Sequence, residues 1–260
     1  MALSFVSGSQ QYLSKSAALF SGSSTDYNFS LSAWVKPTNR HTGSIIGADA
    51  GSGNSGRFAL FTQNGKFAAR RKSGYLIQTS QFANDNTDWF HVLGTWKYNS
   101  RALYVNGVSV AYEPGNKSGG GQAGTTNISL DPTAGTTFYI GRDWSGKYFN
   151  GLIAEAAAYS VYLSAGDIAS LAAGFSPSMV RPESLIGYWP LGGSVSNDYA
   201  DPFGQHTLTP TNTPTAADHP RIIYPTGVST FDYAAPVVEE EEPAAERGWM
   251  FESMQVGAAT

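Results

Sequence analysis

The chain has 260 residues, 41% of them hydrophobic and 13% aromatic, but only 14% charged, with 29 glycines. A net charge of −4 argues against nucleic acid, which is normally met by a basic patch, and the absence of cysteine excludes disulfides, thiolate metal sites and thiol nucleophiles. No apolar run approaches the roughly 20 residues that span a bilayer. What remains is a turn-rich β protein with a Ser/Thr/Asn surface, and the length suits one large all-β domain. The opening stretch, MALSFVSGSQQYL, has neither a basic n-region nor an apolar h-region, so no secretory signal is visible.

In chain order, residues 3–6 and 12–13 read as short apolar pieces of an edge strand. FSLSAWVKP (29–37) is the clearest strand. Phe29, Leu31, Ala33 and Val35 alternate with Ser30, Ser32, Trp34 and Lys36 until Pro37 ends the pairing. Ser44 to Ala48 is a second strand. Phe58–Thr62 and Lys66–Arg70 flank Asn64-Gly65, the pair preferred where both turn residues need positive φ. Tyr75 to Ser80 follows as a further strand.

Residues 88–112, DWFHVLGTWKYNSRALYVNGVSVAY, read as a three-stranded meander with a second such turn at Asn106-Gly107. Phe90, Val92, Gly94 and Trp96 share one face, and His91, Leu93, Thr95 and Lys97 the other. The glycine-rich stretch 113–127 reads as a rim loop. Phe138–Gly141 resumes the sheet, and Gly151 to Tyr162 is a longer, alanine-rich strand. One helix is predicted, capped by Ser164 with Asp167 three residues on and stopped by Gly174. SLIGYWPLGG (184–193) reads as another strand.

The composition changes near Asp218. We read residues 1–218 as the β domain and 219–260 as an extended arm. The arm has an acidic run, Glu239 to Glu242, and a sticky tip of Trp249, Met250, Phe251 and Met254. A disordered tail fits the same composition.

FSLSAWVKP, SIIG, DWFHVLGTWKYNSRALYVNG and FYIGRDWSGKYFNGLIAEAAAYSVYLSAGDIASL resemble, in order and spacing, the laminin G-like modules of the concanavalin A-like jelly-roll superfamily. The resemblance covers about residues 3–175. It implies an antiparallel two-sheet β-sandwich with one short helix after the last long strand. Residues 184–215 also resemble the opening of such modules, which here follows the rest of the domain.

The superfamily includes glucanases, whose retaining members set two carboxyl groups roughly 5–5.5 Å apart. No matching run of acids occurs here. Glu155 is the only acid of the long strand 151–162, at a position where the resemblance implies an acid with a structural hydrogen-bonding role. His41, His91, His206 and His219 form no metal spacing, and His91 reads as a strand residue with a satisfied ring. The expectation is a non-enzymatic protein. Calcium stays open as a cofactor, with Asp49, Asn54, Asp143, Asp198 and Asp201 in predicted loops, but no dense ligand run names a metal site.

For a glycan, the loop RDWSGKYFNG (142–151) offers Asp143, Trp144, Tyr148 and Asn150, and Arg70, Arg71 and Tyr75 form a second patch. The same rings also suit covering the sandwich edge. Two functions remain open. The first is a virion structural protein, a phage capsid decoration or fibre component made in the host cytoplasm and carried on the virion surface. It would anchor by its arm to capsid proteins or to copies of itself, with no nucleic acid or membrane insertion, and touch host glycans weakly. The alternative is a lectin-like adhesion module for cell-surface polysaccharide.

Overall fold

A computed structural model describes residues 2–16, 19–20, 28–49, 57–71, 74–78, 80–84, 86–97, 100–111, 137–192 and 206–225. All of them fall within one unit, Met1–Ser229; the second unit, Thr230–Thr260, lies outside the described residues. The elements are β1 (Ala2–Phe5), β2 (Tyr12–Lys15), β3 (Phe29–Pro37), β4 (Gly43–Asp49), β5 (Phe58–Gln63), β6 (Lys66–Arg71), β7 (Gly74–Ile77), β8 (Phe90–Lys97), β9 (Ser100–Val105) and β10 (Val108–Ser109). They continue with β11 (Thr137–Ile140), β12 (Gly151–Tyr159), α1 (Ala165–Ala172), β13 (Leu185–Trp189), β14 (Thr209–Thr211) and β15 (Thr215–Ala217).

Two antiparallel sheets form a sandwich. The first runs β10-β9-β8-β3-β12-β1-β15, with β13 also paired to β12, and the second runs β14-β2-β11-β4-β5-β6-β7. Alternation sets both inner faces. Phe29, Leu31, Ala33 and Val35 of β3 meet Phe58, Leu60, Phe67 and Phe138 of the second sheet in one buried cluster. Phe29 stacks on Trp96 at 4.9 Å and Phe138 on Trp189 at 5.0 Å. Such ring pairs add about 0.5–1.5 kcal/mol each beyond their burial. The buried Trp96 indole N–H donates to the Arg70 carbonyl at 3.1 Å, which ties β8 of one sheet to β6 of the other.

The hairpin chemistry is as the sequence predicts. Asn64 and Gly65 sit at φ +49° and +79°, and Asn106 and Gly107 at +50° and +79°. The helix carries the full capping box between Ser164 and Asp167. It packs Ile168 and Leu171 with Leu93, Ala157, Tyr159 and Tyr188 into a second cluster, on the side of the first sheet away from the sandwich interior.

Two features differ from the sequence reading. The N-terminal pieces are not at an edge: β1 lies between β12 and β15, and β2 between β14 and β11. The late strands β14, which contains Pro210, and β15, both too short to show alternation, cover them. Residues 219–225 also lie along the domain, where the Ile223 amide donates to the Gly174 carbonyl at 2.7 Å.

The late strand β13 finds its place through a bulge. Gly151–Ile153 of β12 pair with β1, whereas Ala156–Tyr159 pair with β13 on the same side. Glu155 sits between the two stretches with φ +51°, and the β12–β3 register shifts there. The extra residue lets both Ile153 and Ala156 face the sandwich interior.

Candidate functional site

The loop from Gly141 to Asn150 folds back on the second sheet, and its own residues dictate how. Asp143 Oδ1 accepts from the Ser145 amide at 2.9 Å, the Ser145 hydroxyl at 2.8 Å and the Lys147 amide at 2.9 Å, closing a tight turn. The Ser44 amide donates to the Lys147 carbonyl at 3.1 Å, which fastens the loop to the start of β4. Gly43 permits this approach, since a Cβ there would lie 2.3 Å from the Tyr148 carbonyl oxygen.

Two patches that the sequence reading kept apart come together here. Arg70 Nη1 lies 3.4 Å from Asp143 Oδ2, so β6 and the loop share an ion pair. Trp144 remains 42% exposed, with the Arg57 guanidinium 3.8 Å from its ring centroid. Arg57 is held in turn by Asp49 at 2.9 Å. The ring is therefore pinned on one side and open on the other.

Tyr148 joins a group that sequence reasoning missed. Tyr12 of β2 and Tyr139 of β11 lie 6.0 Å apart, and Tyr148 is 6.1 Å from Tyr12. The Arg142 guanidinium sits among the three rings, at 4.7, 5.2 and 5.6 Å from Tyr12, Tyr139 and Tyr148. A signal existed: Tyr12 and Tyr139 occupy the positions in YLSK and TFYI that alternate away from buried Leu13, Phe138 and Ile140.

Asn150 does different work. Its Oδ1 accepts from the Ser7 amide at 3.1 Å, and its Nδ2 donates to Thr38 Oγ1 at 3.2 Å, so it joins three segments. Tyr75 pairs through its backbone with Arg70. Trp249, Met250, Phe251 and Met254 lie outside the described residues, as do Asn54, Asp198 and Asp201. Among the described residues no group of three or more His, Asp or Glu side chains is placed to hold a metal ion, and no helix is long and apolar enough to cross a membrane.

A second polar cluster lies under α1. Glu155, 1% exposed, accepts from the Tyr188 hydroxyl at 2.6 Å and the Tyr224 hydroxyl at 2.8 Å. His219 Nε2 comes within 3.2 Å of the same carboxylate without hydrogen-bond alignment. Burial first, then the Glu155 charge, pushes the Tyr188 and Tyr224 hydroxyls well above the usual tyrosine range. These phenols stay protonated and donate, as a structural carboxylate requires. His91, on the first sheet's outer side, holds Ser32 Oγ at 2.8 Å through Nε2, but its Nδ1 is buried without a hydrogen-bond partner. The ring is thus only half satisfied.

The two facing sheets, the helix after the long strand and the loop-bearing outer face define a lectin-type β-sandwich. Residues 7–169 match the laminin G family described as the concanavalin A-like lectin/glucanases superfamily, and the chain belongs to it. No curated protein matches the chain. Among solved structures it is similar to a Bacteroides ovatus protein for which carbohydrate binding has been proposed, at 20% identity and a TM-score of 0.60. That match covers 85% of this chain but only 61% of the other. Weaker likenesses include a heptameric SAP-like pentraxin from Limulus polyphemus, at 16% identity and TM-score 0.46, covering 66% of this chain and 81% of that one. Another is domain 4 of a GH43 extracellular arabinanase from Geobacillus stearothermophilus, solved with arabinotriose, at 21% identity and TM-score 0.42, covering 56% and 67%.

Proposed function

We propose that this protein binds carbohydrate without turning it over, using the outer face of the second sheet beside residues 142–150. The observation that carries the reading is the pinned loop, which holds the half-open ring of Trp144 next to the Arg70–Asp143 pair and the tyrosine group. A sugar presents C–H faces that pack on aromatic rings and hydroxyls that need donors and acceptors, and this surface supplies both on a preorganised frame. Membership of the lectin/glucanase superfamily and the likeness to the Bacteroides ovatus protein support the same reading.

The virion-component reading draws on the arm, residues 219–260, of which 226–260 lie outside the described residues, and no comparison supports it. The adhesion-type reading is therefore the one advanced. A glycan array on the full chain, followed by calorimetry with the best ligand, tests it. Trp144→Ala should weaken binding at least tenfold while leaving the melting temperature nearly unchanged. An array with no ligand, or a ligand bound equally well by Trp144→Ala, overturns the assignment of this surface.

A further inference from the structure

Resting on the carbohydrate reading, we infer that the ligand is an acidic polysaccharide, whose anionic groups enter an open groove between Arg40-His41-Thr42 and Lys147. The groove encloses about 560 Å³ and is lined by Arg40, His41 and Lys147 together with neutral residues such as Ser7, Thr42 and Asn64. Among the described residues no carboxylate lines it. On a chain of net charge −4, a groove whose charged lining residues, Arg40 and Lys147, are both cationic is a local reversal of sign.

Arg40 is fixed in place. Its side-chain stem lies over Gly65, where an added Cβ would come within 2.6 Å of Arg40 Cγ, and its Nε donates to the Phe82 carbonyl at 3.1 Å. Among the described residues neither Arg40 nor Lys147 has a carboxylate partner. By contrast, Arg57, Arg70 and Arg181 all do. The guanidinium is held by its Nε, with its outer nitrogens open for the paired contacts that carboxylate or sulfate groups accept.

The groove also continues toward Trp144. Thr42 and Lys147 line both it and an adjoining hollow of about 230 Å³, which reaches Arg70 and Asp143. Arg70 and Asp143 in turn border the depression at Arg57 and Trp144. A track of this length suits several sugar units of a polymer rather than one. Its chemistry changes along the way, from ring stacking at Trp144 to anion recognition at Arg40 and Lys147.

The test uses affinity electrophoresis of the full chain in gels containing polygalacturonate, dextran sulfate, neutral dextran or single-stranded DNA. Retention by polygalacturonate or dextran sulfate, absent in dextran and fading as salt rises, is the expected result. Which of the two retains the protein separates carboxylate from sulfate recognition. The Arg40→Ala/Lys147→Ala double variant should lose at least tenfold in affinity and most of the salt dependence, with a melting temperature lowered only slightly by the lost Arg40–Phe82 bond. If a neutral glycan binds and depends on Trp144 but not on Arg40 and Lys147, the acidic-ligand inference falls while the carbohydrate reading stands. Equal retention by DNA marks indiscriminate polyanion binding and overturns the inference. No retention in any gel overturns it too, and a silent glycan array removes the carbohydrate reading with it.

Discussion

The hydroxyl of Tyr188 donates to Glu155 Oε2 across 2.6 Å, and Glu155 is 1% exposed at the bulge where the β12–β3 register shifts. The bulge therefore has two roles. It hands the edge of β12 from β1 to β13, and it points a carboxylate at a tyrosine of the incoming strand.

Removing that carboxylate should loosen the late part of the chain. Glu155→Ala leaves Tyr224 and His219 facing a void and strips Tyr188 of its shortest bond. Hydrogen bonds to charged groups contribute about 1.5–3 kcal/mol each, so losing the two is expected to cost roughly 3–6 kcal/mol in denaturant unfolding. Tyr224→Phe removes one of the bonds and should cost about 1–2 kcal/mol. It should also speed proteolysis near residues 219–225 while the sandwich stays folded. Unchanged cleavage in Tyr224→Phe would show that this bond does not hold the segment.

His91 predicts an acid sensitivity. Burial lowers its pKa from 6.5 to about 3. Above pH 6.5 the ring is neutral in both states, and the site adds no pH dependence. Between pH 6.5 and 3 the unfolded chain binds a proton that the folded chain refuses, so stability falls as pH falls, by at most about 1.4 kcal/mol per unit. His91→Gln, which keeps a partner for Ser32, should be less stable than the parent at pH 7 yet lose less of its melting temperature between pH 7 and 4.5. Equal losses in the two proteins would show that His91 is not the source.

The helix cap gives a smaller effect at lower pH, below the ordinary aspartate value. Burial works to raise the Asp167 carboxyl, but the Ser164 hydroxyl and amide and then Arg181 outweigh it and hold the group below its usual value. With a depressed folded pKa, its contribution is present at neutral pH and disappears as pH falls through the folded value. Ser164→Ala should cost about 1 kcal/mol at pH 7, with a smaller difference from the parent in strong acid. A cost that does not change with pH would assign the effect to helix propensity alone.

How much of this was legible in the sequence follows from range. Alternation in FSLSAWVKP and FHVLGTWK, the two Asn-Gly turns and the Ser164–Asp167 box are local, and each sits in the structure where its residues imply. Strands β14 and β15 are three residues each, and pairing with β2 and β1 rather than their own pattern makes them strands. Glu155 could be read as structural, but its partners Tyr188, His219 and Tyr224 lie 33 or more residues away. At the candidate site the loop residues were readable as a polar-aromatic cluster. Their neighbours Tyr12, Arg40, Arg57 and Tyr139 come from four other segments, and only the second sheet brings them together.

Gly43 tests whether the loop's placement, rather than any one contact residue, makes the site. A Cβ at Gly43 would sit 2.3 Å from the Tyr148 carbonyl oxygen and 2.7 Å from Phe149 Cα, both backbone atoms that no side-chain rotation can move aside. Gly43→Ala must therefore push residues 147–149 off β4, straining the bond from the Ser44 amide to the Lys147 carbonyl. Overpacking of this kind costs about 1–3 kcal/mol. Because Lys147 and Tyr148 move while Trp144, Arg40 and Arg70 are chemically unchanged, ligand binding should weaken at least tenfold in a protein that still melts cooperatively. Asp143→Ala should behave alike, since it deletes the acceptor of three loop bonds and the partner of Arg70. If both variants bind as the parent does, the ligand does not read the loop, and the surface beside residues 142–150 is not the binding site.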